Sequence, residues 1–201
     1  MYKIKKIVSG AFYTNTYILI NGKAAIIIDP TLDFEQYAKE INEKYNVLAV
    51  LLTHGHVDHV DGIKYFNSNV YVTKEDEIML KDSNLSLYTM ISKVSPYKDS
   101  NINFINVSDG EILNIGSFII KVILTKGHTS GSVCYLLDNN LFSGDTMFKY
   151  SVGRTDFPTG SESELRKSIK KLLNLSNEVV VYPGHDEKTT IKDEKKYNIY
   201  R

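Results

Sequence analysis

The sequence predicts a mixed α/β fold in which strands and helices recur in two comparable halves. The longest apolar runs, Ala24–Ile28 and Val47–Leu52, have the length of strands rather than of helices. Segments whose apolar residues have helical spacing lie between such runs, which is typical of α/β layers. A length of 201 residues fits one domain, which we expect to span residues 1–201.

The first half predicts a hairpin, a helix and a buried strand. Tyr17–Ile20 and Ala24–Ile28 are apolar, β-branched runs joined by Asn21–Gly22, a pair that favours a tight turn. A helix with Asp33 available as its N-cap follows. Its apolar residues at helical spacing are Phe34, Tyr37, Ala38, Ile41 and Tyr45. Val47–Thr53 is then a continuous hydrophobic run, typical of a strand buried on both faces.

The middle of the chain is less regular. Val70–Val72 predicts a short strand, and Thr73–Leu80 predicts a helix that begins with the pattern Thr-x-x-Asp. Between Asp82 and Asn101 lies a Ser-, Asn- and Lys-rich segment with scattered apolar residues. This segment is either a lid over a pocket or a plain excursion on the surface.

The second half predicts further strands and one helix. Strands are expected at Ile112–Ile115, Phe118–Leu124, Val133–Leu137, Leu141–Phe142 and Val179–Tyr182. Ser161 and Glu164 form a capping-box pattern ahead of a helix. The apolar residues of that helix are Leu165, Ile169, Leu172 and Leu173. After the last strand we expect a charged tail.

Composition excludes several classes of protein. With 24 basic and 24 acidic residues the chain has no formal net charge, so neither nucleic acid nor an anionic membrane is expected as a partner. The only cysteine, Cys134, excludes an intrachain disulfide and is expected to be a small buried hydrophobe. Because no secretory signal or apolar span of about 18 residues is found, we expect a cytoplasmic protein. The sequence leaves the oligomeric state open.

Potential metal ligands follow the ends of several predicted strands. Four come directly after the buried strand: His54, His56, Asp58 and His59. Three more follow later strands: His128, Asp145 and His185. Strand ends gather at one edge of a sheet, so these side chains are expected to lie together. All five histidines of the chain belong to this set, which predicts a zinc or iron site rather than an accidental His-x-His.

With this His-x-His-x-Asp-His motif and the later His, Asp and His, the chain resembles the metallo-β-lactamase superfamily over essentially its whole length. The resemblance implies a four-layer αββα sandwich. It also implies two divalent metal ions, zinc first, with iron or manganese as alternatives. The first ion would be held by His54, His56 and His128, and the second by Asp58, His59 and His185. Asp145 would bridge the two ions.

Two further motifs resemble those of the short glyoxalase II-like hydrolases, which cleave thioesters of the S-lactoylglutathione type. These motifs are Gly153–Pro158 and Tyr182–His185, and Gly131–Tyr135 fits the same group. Full-length glyoxalase II carries an extra helical domain that helps to hold glutathione, whereas only 16 residues follow His185 here. A thiol other than glutathione is therefore an alternative.

The expected reaction is hydrolysis of a small-molecule acyl-thioester by a hydroxide that bridges the metals, since coordination lowers the pKa of water toward about 7. Asp58 would bind metal and orient this hydroxide, while Asp145 would keep the metals paired. A thiolate, with a pKa of about 8.5, leaves without a general acid.

Three residues after Asp145 are candidates for substrate binding. Lys149 and Tyr150 are candidates because they follow Asp145 closely. Arg154 either binds a substrate carboxylate or, with Asp156, pins its own loop.

An alternative from another class is a mononuclear iron persulfide dioxygenase, a group that the sequence also resembles. Its iron would be held by His54 or His56 together with His128 and Asp145, because two histidines and one carboxylate suit dioxygen chemistry. The complete set of residues for a second metal favours the hydrolase.

Overall fold

The computed structural model describes residues 2–201, which form two six-stranded β-sheets. The first sheet pairs its strands in chain order: β1 (Lys3–Ser9), β2 (Thr14–Asn21), β3 (Ala24–Ile28), β4 (Asn46–Leu51), β5 (Asn69–Val72) and β6 (Phe104–Asn106). The second half contributes β7 (Ile112–Ile115), β8 (Phe118–Leu124), β9 (Val133–Leu137), β10 (Asn140–Gly144), β11 (Met147–Phe148), β12 (Ser151–Val152), β13 (Val180–Pro183) and β14 (Thr189–Thr190). The second sheet has the order β14-β13-β10-β9-β8-β7, and β11 pairs with β12 in a small ribbon.

Helices cover the outer faces of both sheets. They are α1 (Glu35–Lys44), α2 (Val57–Val60), α3 (Lys74–Leu80), α4 (Glu162–Leu173) and α5 (Ile191–Tyr197). Tyr17 and Leu19 of β2 point into the core between the sheets, whereas Ile18 packs in the outer core with Ala38 of α1. Leu165 of α4 belongs to the outer core of the second sheet. Since side chains alternate along a strand, each sheet serves two cores, and the four-layer αββα sandwich is confirmed.

Parallel pairing brings several strand ends to one edge of the sandwich. β3, β4, β5 and β6 are mutually parallel neighbours, and β10 pairs in parallel with β13. Ala49, Val50 and Leu51 of β4 are fully buried, as the hydrophobic run predicted. The segments that leave the carboxyl ends of β4, β10 and β13 therefore begin close together.

Of two predictions near the N-terminus, the hairpin is confirmed and the helix cap is wrong. The hairpin is confirmed: β2 pairs antiparallel with β3 around Gly22, whose φ is +61°. The prediction of Asp33 as the N-cap of α1 is wrong. Phe34 occupies the N-cap position and no side chain caps the helix, because Asp33 lies one residue too early in a left-handed conformation.

The expected charged tail contains a helix instead. Thr190 caps α5 by accepting a hydrogen bond from the N–H of Asp193 at 3.1 Å. Ile191 is buried in the outer core, and the buried carboxylate of Glu194 accepts hydrogen bonds from Thr189 and Asn198. The strands β1, β6, β11, β12 and β14 were also not predicted.

Hydrogen bonds anchor residues 82–101 to the rest of the fold. Tyr88 donates a hydrogen bond to Asp61 Oδ1 at 3.0 Å, and Tyr97 donates to the carbonyl of Val60 at 2.6 Å. The N–H of Val57 donates to the carbonyl of Ser86 at 2.8 Å. These bonds hold the segment against α2 and the residues that follow it, beside the His54–His59 motif.

Among residues 2–201, no helix has the length and apolar character needed to span a bilayer.

Candidate metal centre

The structure brings all seven predicted ligands together at one edge of the sandwich. Each lies just beyond a strand: the His54–His59 motif follows β4, His128 follows β8, Asp145 follows β10, and His185 follows β13. These strand ends are buried in rigid sheets, so the ligands are positioned by the fold itself.

The ligand atoms form three overlapping groups, within each of which they lie no more than 4.8 Å apart. The groups are His54, His56 and His128; His54, His59 and Asp145; and Asp58, His59 and His185. Asp145 lies between the first and the last group. Its Oδ1 is 3.4 Å from His59 Nε2, while its Oδ2 is 3.7 Å from His128 Nε2 and 3.5 Å from His185 Nε2.

Several of these atoms are buried without a hydrogen-bond partner in residues 2–201. They are His54 Nε2, His56 Nε2 and Asp145 Oδ1. Buried polar atoms are normally paired, so unpaired imidazole and carboxylate atoms that face one another indicate room for a cation. Gly184 keeps that room open, because a Cβ there would lie 2.2 Å from Asp145 Oδ1 and 2.6 Å from His59 Cε1. The residues present therefore fit divalent metal ions.

Electrostatics divide the site into a neutral and an ionic part. Burial lowers the pKa of His56 to about 3 and also lowers the pKa of His54 and His128, so these three imidazoles are uncharged at neutral pH. Burial alone would also lower the pKa of His59 and His185, but the carboxylates of Asp58 and Asp145 raise these values to about 9 and about 11. Burial alone would raise the pKa of Asp58, but the neighbouring His59 and His185 lower it to about 2. The same balance lowers the pKa of Asp145. Both carboxylates are thus ionised at neutral pH.

Backbone and side-chain acceptors orient three of the histidines. His128 Nδ1 lies 2.7 Å from the carbonyl of Arg154, and His185 Nδ1 lies 3.1 Å from the carbonyl of Phe12. His59 Nδ1 lies 3.0 Å from Asp29 Oδ2. An acceptor on Nδ1 fixes the ring and leaves Nε2 directed at the metal position.

Asp29 supports the site and was not predicted from the sequence. Besides His59, its carboxylate binds Thr53: Oδ1 accepts from the N–H at 2.8 Å and Oδ2 from the hydroxyl at 2.6 Å. Asp29 follows β3 with a φ of +52°. The signal in the sequence was an acidic residue directly after a buried strand, the same signal that identified the ligands.

Asp76 joins two of the ligand loops. Its Oδ2 accepts hydrogen bonds from the N–H of Gly55 at 3.0 Å and from the hydroxyl of Thr129 at 2.7 Å, so it links the neighbours of His54 and His128. Burial raises the pKa of Asp76 to about 6. The Thr-x-x-Asp pattern did mark the start of α3, where Thr73 is the N-cap, but the Asp76 carboxylate serves the site.

A cavity of about 510 Å³ opens over the metal centre. Five predicted ligands line it: His56, Asp58, His128, Asp145 and His185. Arg154 lines it too, but its Nε and Nη2 bind the two carboxylate oxygens of Asp156 at 2.6 and 2.7 Å. Of the two roles expected for Arg154, this pairing matches the one in which Arg154 and Asp156 pin their own loop.

The structure does not bring Lys149 and Tyr150 into this cavity. Both line a separate groove, where the Nζ of Lys149 binds Glu187 at 2.6 Å and the ring of Tyr150 packs on that of Tyr197. The ribbon of β11 and β12 turns at Tyr150, whose φ is +63°. This turn directs the two side chains away from Asp145.

Comparison with known proteins gives a family match over most of the chain. The family model described as the metallo-beta-lactamase superfamily matches residues 9–185. The probable metallo-hydrolase YqgX of Bacillus subtilis is 32% identical over 98% of this chain and 96% of its own length. The probable polyketide biosynthesis zinc-dependent hydrolase PksB, also of Bacillus subtilis, is 31% identical over 90% of this chain and 77% of its own.

Solved structures share the fold. The BLEG-1 B3 metallo-beta-lactamase is 33% identical, with a TM-score of 0.90 over 98% of this chain and 99% of its own. TTHA1623 in a di-iron-bound form is 27% identical, with a TM-score of 0.84 over 98% of this chain and 100% of its own. ETHE1 from Myxococcus xanthus is 26% identical, with a TM-score of 0.78 over 98% of this chain and 83% of its own.

Proposed function

Because this chain belongs to the metallo-beta-lactamase superfamily of metallo-hydrolases, we propose that it is a dinuclear metal hydrolase that cleaves small-molecule acyl-thioesters in the manner of glyoxalase II. The observation that carries this proposal is the pair of complete ligand groups joined by Asp145. A mononuclear site would leave Asp58 and His185 without a metal to bind, although both lie within the ligand cluster.

The ligand set assigns roles to individual residues. His54, His56 and His128 would hold one ion, Asp58, His59 and His185 the other, and Asp145 would contact both. Divalent ions at these positions would activate water as a nucleophile and stabilise the oxyanion that develops on the substrate. Zinc, iron and manganese all suit imidazole and carboxylate ligands.

Asp58 would orient the attacking water. It lines the cavity, and its Oδ2 accepts a hydrogen bond from the hydroxyl of Thr14 at 2.9 Å, which fixes the carboxylate. Because its pKa is about 2, this carboxylate accepts hydrogen bonds at neutral pH rather than donating them.

A thioester suits this cavity because its leaving thiolate needs no general acid. Among residues 2–201, Arg154 is the only ionisable side chain lining the cavity apart from the ligands. An amide needs its leaving nitrogen protonated, and a guanidinium does not give up a proton at neutral pH. A thiolate has a pKa of about 8.5 and leaves unaided.

Thiol release from acyl-thioesters by the metal-loaded protein tests this proposal. We expect turnover with wild type and a loss of at least 100-fold in Asp58→Ala and His59→Ala, with the fold retained by circular dichroism. The absence of thioester hydrolysis from protein loaded with zinc, iron or manganese would contradict the proposal. The alternative, a mononuclear iron persulfide dioxygenase, predicts oxygen consumption with a persulfide substrate instead.

A further inference from the structure

The walls of the cavity are apolar, apart from the metal ligands and two other residues. Phe12 comes from the β1–β2 loop, Leu87 and Met90 from residues 82–101, and Phe148 and Phe157 from the chain after Asp145. Together with Val57 of α2, four separate parts of the sequence therefore supply one apolar surface over the metal centre. From this surface we infer that the acyl group of the substrate is apolar, such as a medium-chain aliphatic or aromatic acyl group, rather than a small hydroxyacyl group. The inference rests on the proposed thioester hydrolysis.

The apolar wall is built into the fold. Leu87 has a left-handed backbone with a φ of +66°, which is costly for a bulky residue, and its side chain is still buried against the cavity. Hydrogen bonds from Val57 to Ser86 and from Tyr88 to Asp61 hold the backbone on either side of Leu87. The surrounding structure thus maintains a strained conformation that places an apolar side chain at the site.

Met90 and Phe12 extend the wall toward solvent. Their side chains are 61% and 44% exposed, although both line the cavity. When a ligand covers large apolar side chains at the mouth of a cavity, removing their surface from water favours binding. A polar lactoyl group would leave this surface in water, whereas an apolar acyl chain would bury it.

The cavity offers little to a negatively charged acyl group. Its one cationic side chain that is not a ligand, Arg154, forms a bidentate pair with Asp156 and stacks at 3.9 Å on the ring of Phe157. That ring in turn packs edge-on against His56, with ring centroids 5.6 Å apart. Arg154 therefore helps to position an aromatic wall, and its charge is already offset. The volume of about 510 Å³ also falls in the range of cavities that hold ligands much larger than a lactoyl group.

The test measures kcat/KM of the zinc-loaded protein with N-acetylcysteamine thioesters of one thiol and varied acyl groups: acetyl, butyryl, hexanoyl, octanoyl and D-lactoyl. Burial of each methylene is expected to raise kcat/KM by up to about fourfold until the cavity is filled. The hexanoyl thioester should thus exceed the acetyl thioester by at least tenfold, and D-lactoyl should rank with acetyl or below it.

A matched pair of variants locates the effect. Met90→Gln should lower the hexanoyl-to-acetyl ratio of kcat/KM about fivefold, because it replaces an apolar part of the wall. Val94→Gln is the control: Val94 lies in the same segment and is 79% exposed, but it does not line the cavity, so the ratio should stay as in wild type.

The possible failures are distinguishable. If no thioester is hydrolysed by protein loaded with zinc, iron or manganese, the proposed function falls and the inference with it. If thioesters are hydrolysed but D-lactoyl or acetyl exceeds hexanoyl, only the inference is overturned. An equal change of the ratio in Met90→Gln and Val94→Gln would also overturn it.

Discussion

Replacing Asp76 with asparagine tests how a buried carboxylate links two ligand loops. Both hydrogen bonds that join the loops, from Gly55 and Thr129, reach the same oxygen, Oδ2. An asparagine with its carbonyl oxygen in place of Oδ2 keeps both bonds and puts its NH₂ group in place of Oδ1, beside the backbone of Gly131. Asp76→Asn therefore removes the charge and the titration while keeping the link.

The magnitude follows from the pKa of Asp76, which burial raises from 3.8 to about 6. At about 1.36 kcal/mol for each pKa unit, ionising this carboxyl in the folded protein costs about 3 kcal/mol more than in the unfolded chain. The folded state holds the proton on Asp76 more tightly than the unfolded chain does, so this proton stabilises the folded protein. The stabilisation is fully present below the unfolded pKa of Asp76 and is lost as the pH rises through the folded pKa. About 2 kcal/mol of the loss falls between pH 4.5 and pH 7.5.

Urea unfolding of wild type and Asp76→Asn at pH 4.5 and pH 7.5, with chelator present, measures this difference. Groups common to both proteins cancel when the two free energies of unfolding are subtracted. We expect the variant to gain about 2 kcal/mol relative to wild type on going from the lower to the higher pH. An unchanged difference between the two proteins, or a gain at the lower pH, would show that Asp76 does not titrate with a raised pKa in the folded protein.

Two other substitutions test the metal centre. Asp29→Asn should weaken metal affinity roughly 10- to 100-fold in calorimetric titration. In either orientation of the new asparagine amide, its NH₂ group would face a hydrogen-bond donor of Thr53 or His59. Metal affinity equal to that of the wild type would contradict the orienting role of Asp29. Gly184→Ala should lose metal from the site, because its methyl group would lie 2.2 Å from Asp145 Oδ1. Full metal content by elemental mass spectrometry, with an unchanged melting temperature, would show that Gly184 is not needed to leave space for a metal ion.

The ligands could be predicted from the sequence because each combines a metal-binding side chain with a position directly after a strand. The fold class could be predicted because the buried strand β4 and the amphipathic helix α4 have distinct apolar periods. Both signals are local. They do not depend on how distant segments pack.

Features that depend on long-range packing could not be predicted. Asp29 and Asp76 support ligand loops that lie more than 20 positions away in the sequence, and only the folded chain shows those contacts. Lys149 and Tyr150 are close to Asp145 in sequence, but a turn with positive φ directs them elsewhere. The helix α5 was missed because its exposed face is highly charged and its apolar contact is limited, although Thr190 and Asp193 repeat the Thr-x-x-Asp signal.

The proposed dinuclear site requires two metal ions per chain, which the metal content of the purified protein measures. The protein would be purified without chelator and measured by elemental mass spectrometry. We expect about two equivalents of zinc, iron or manganese per chain in the wild type and fewer in His59→Ala. One equivalent of iron, with no second ion bound even after metal supplementation, would contradict the dinuclear site and favour the persulfide dioxygenase.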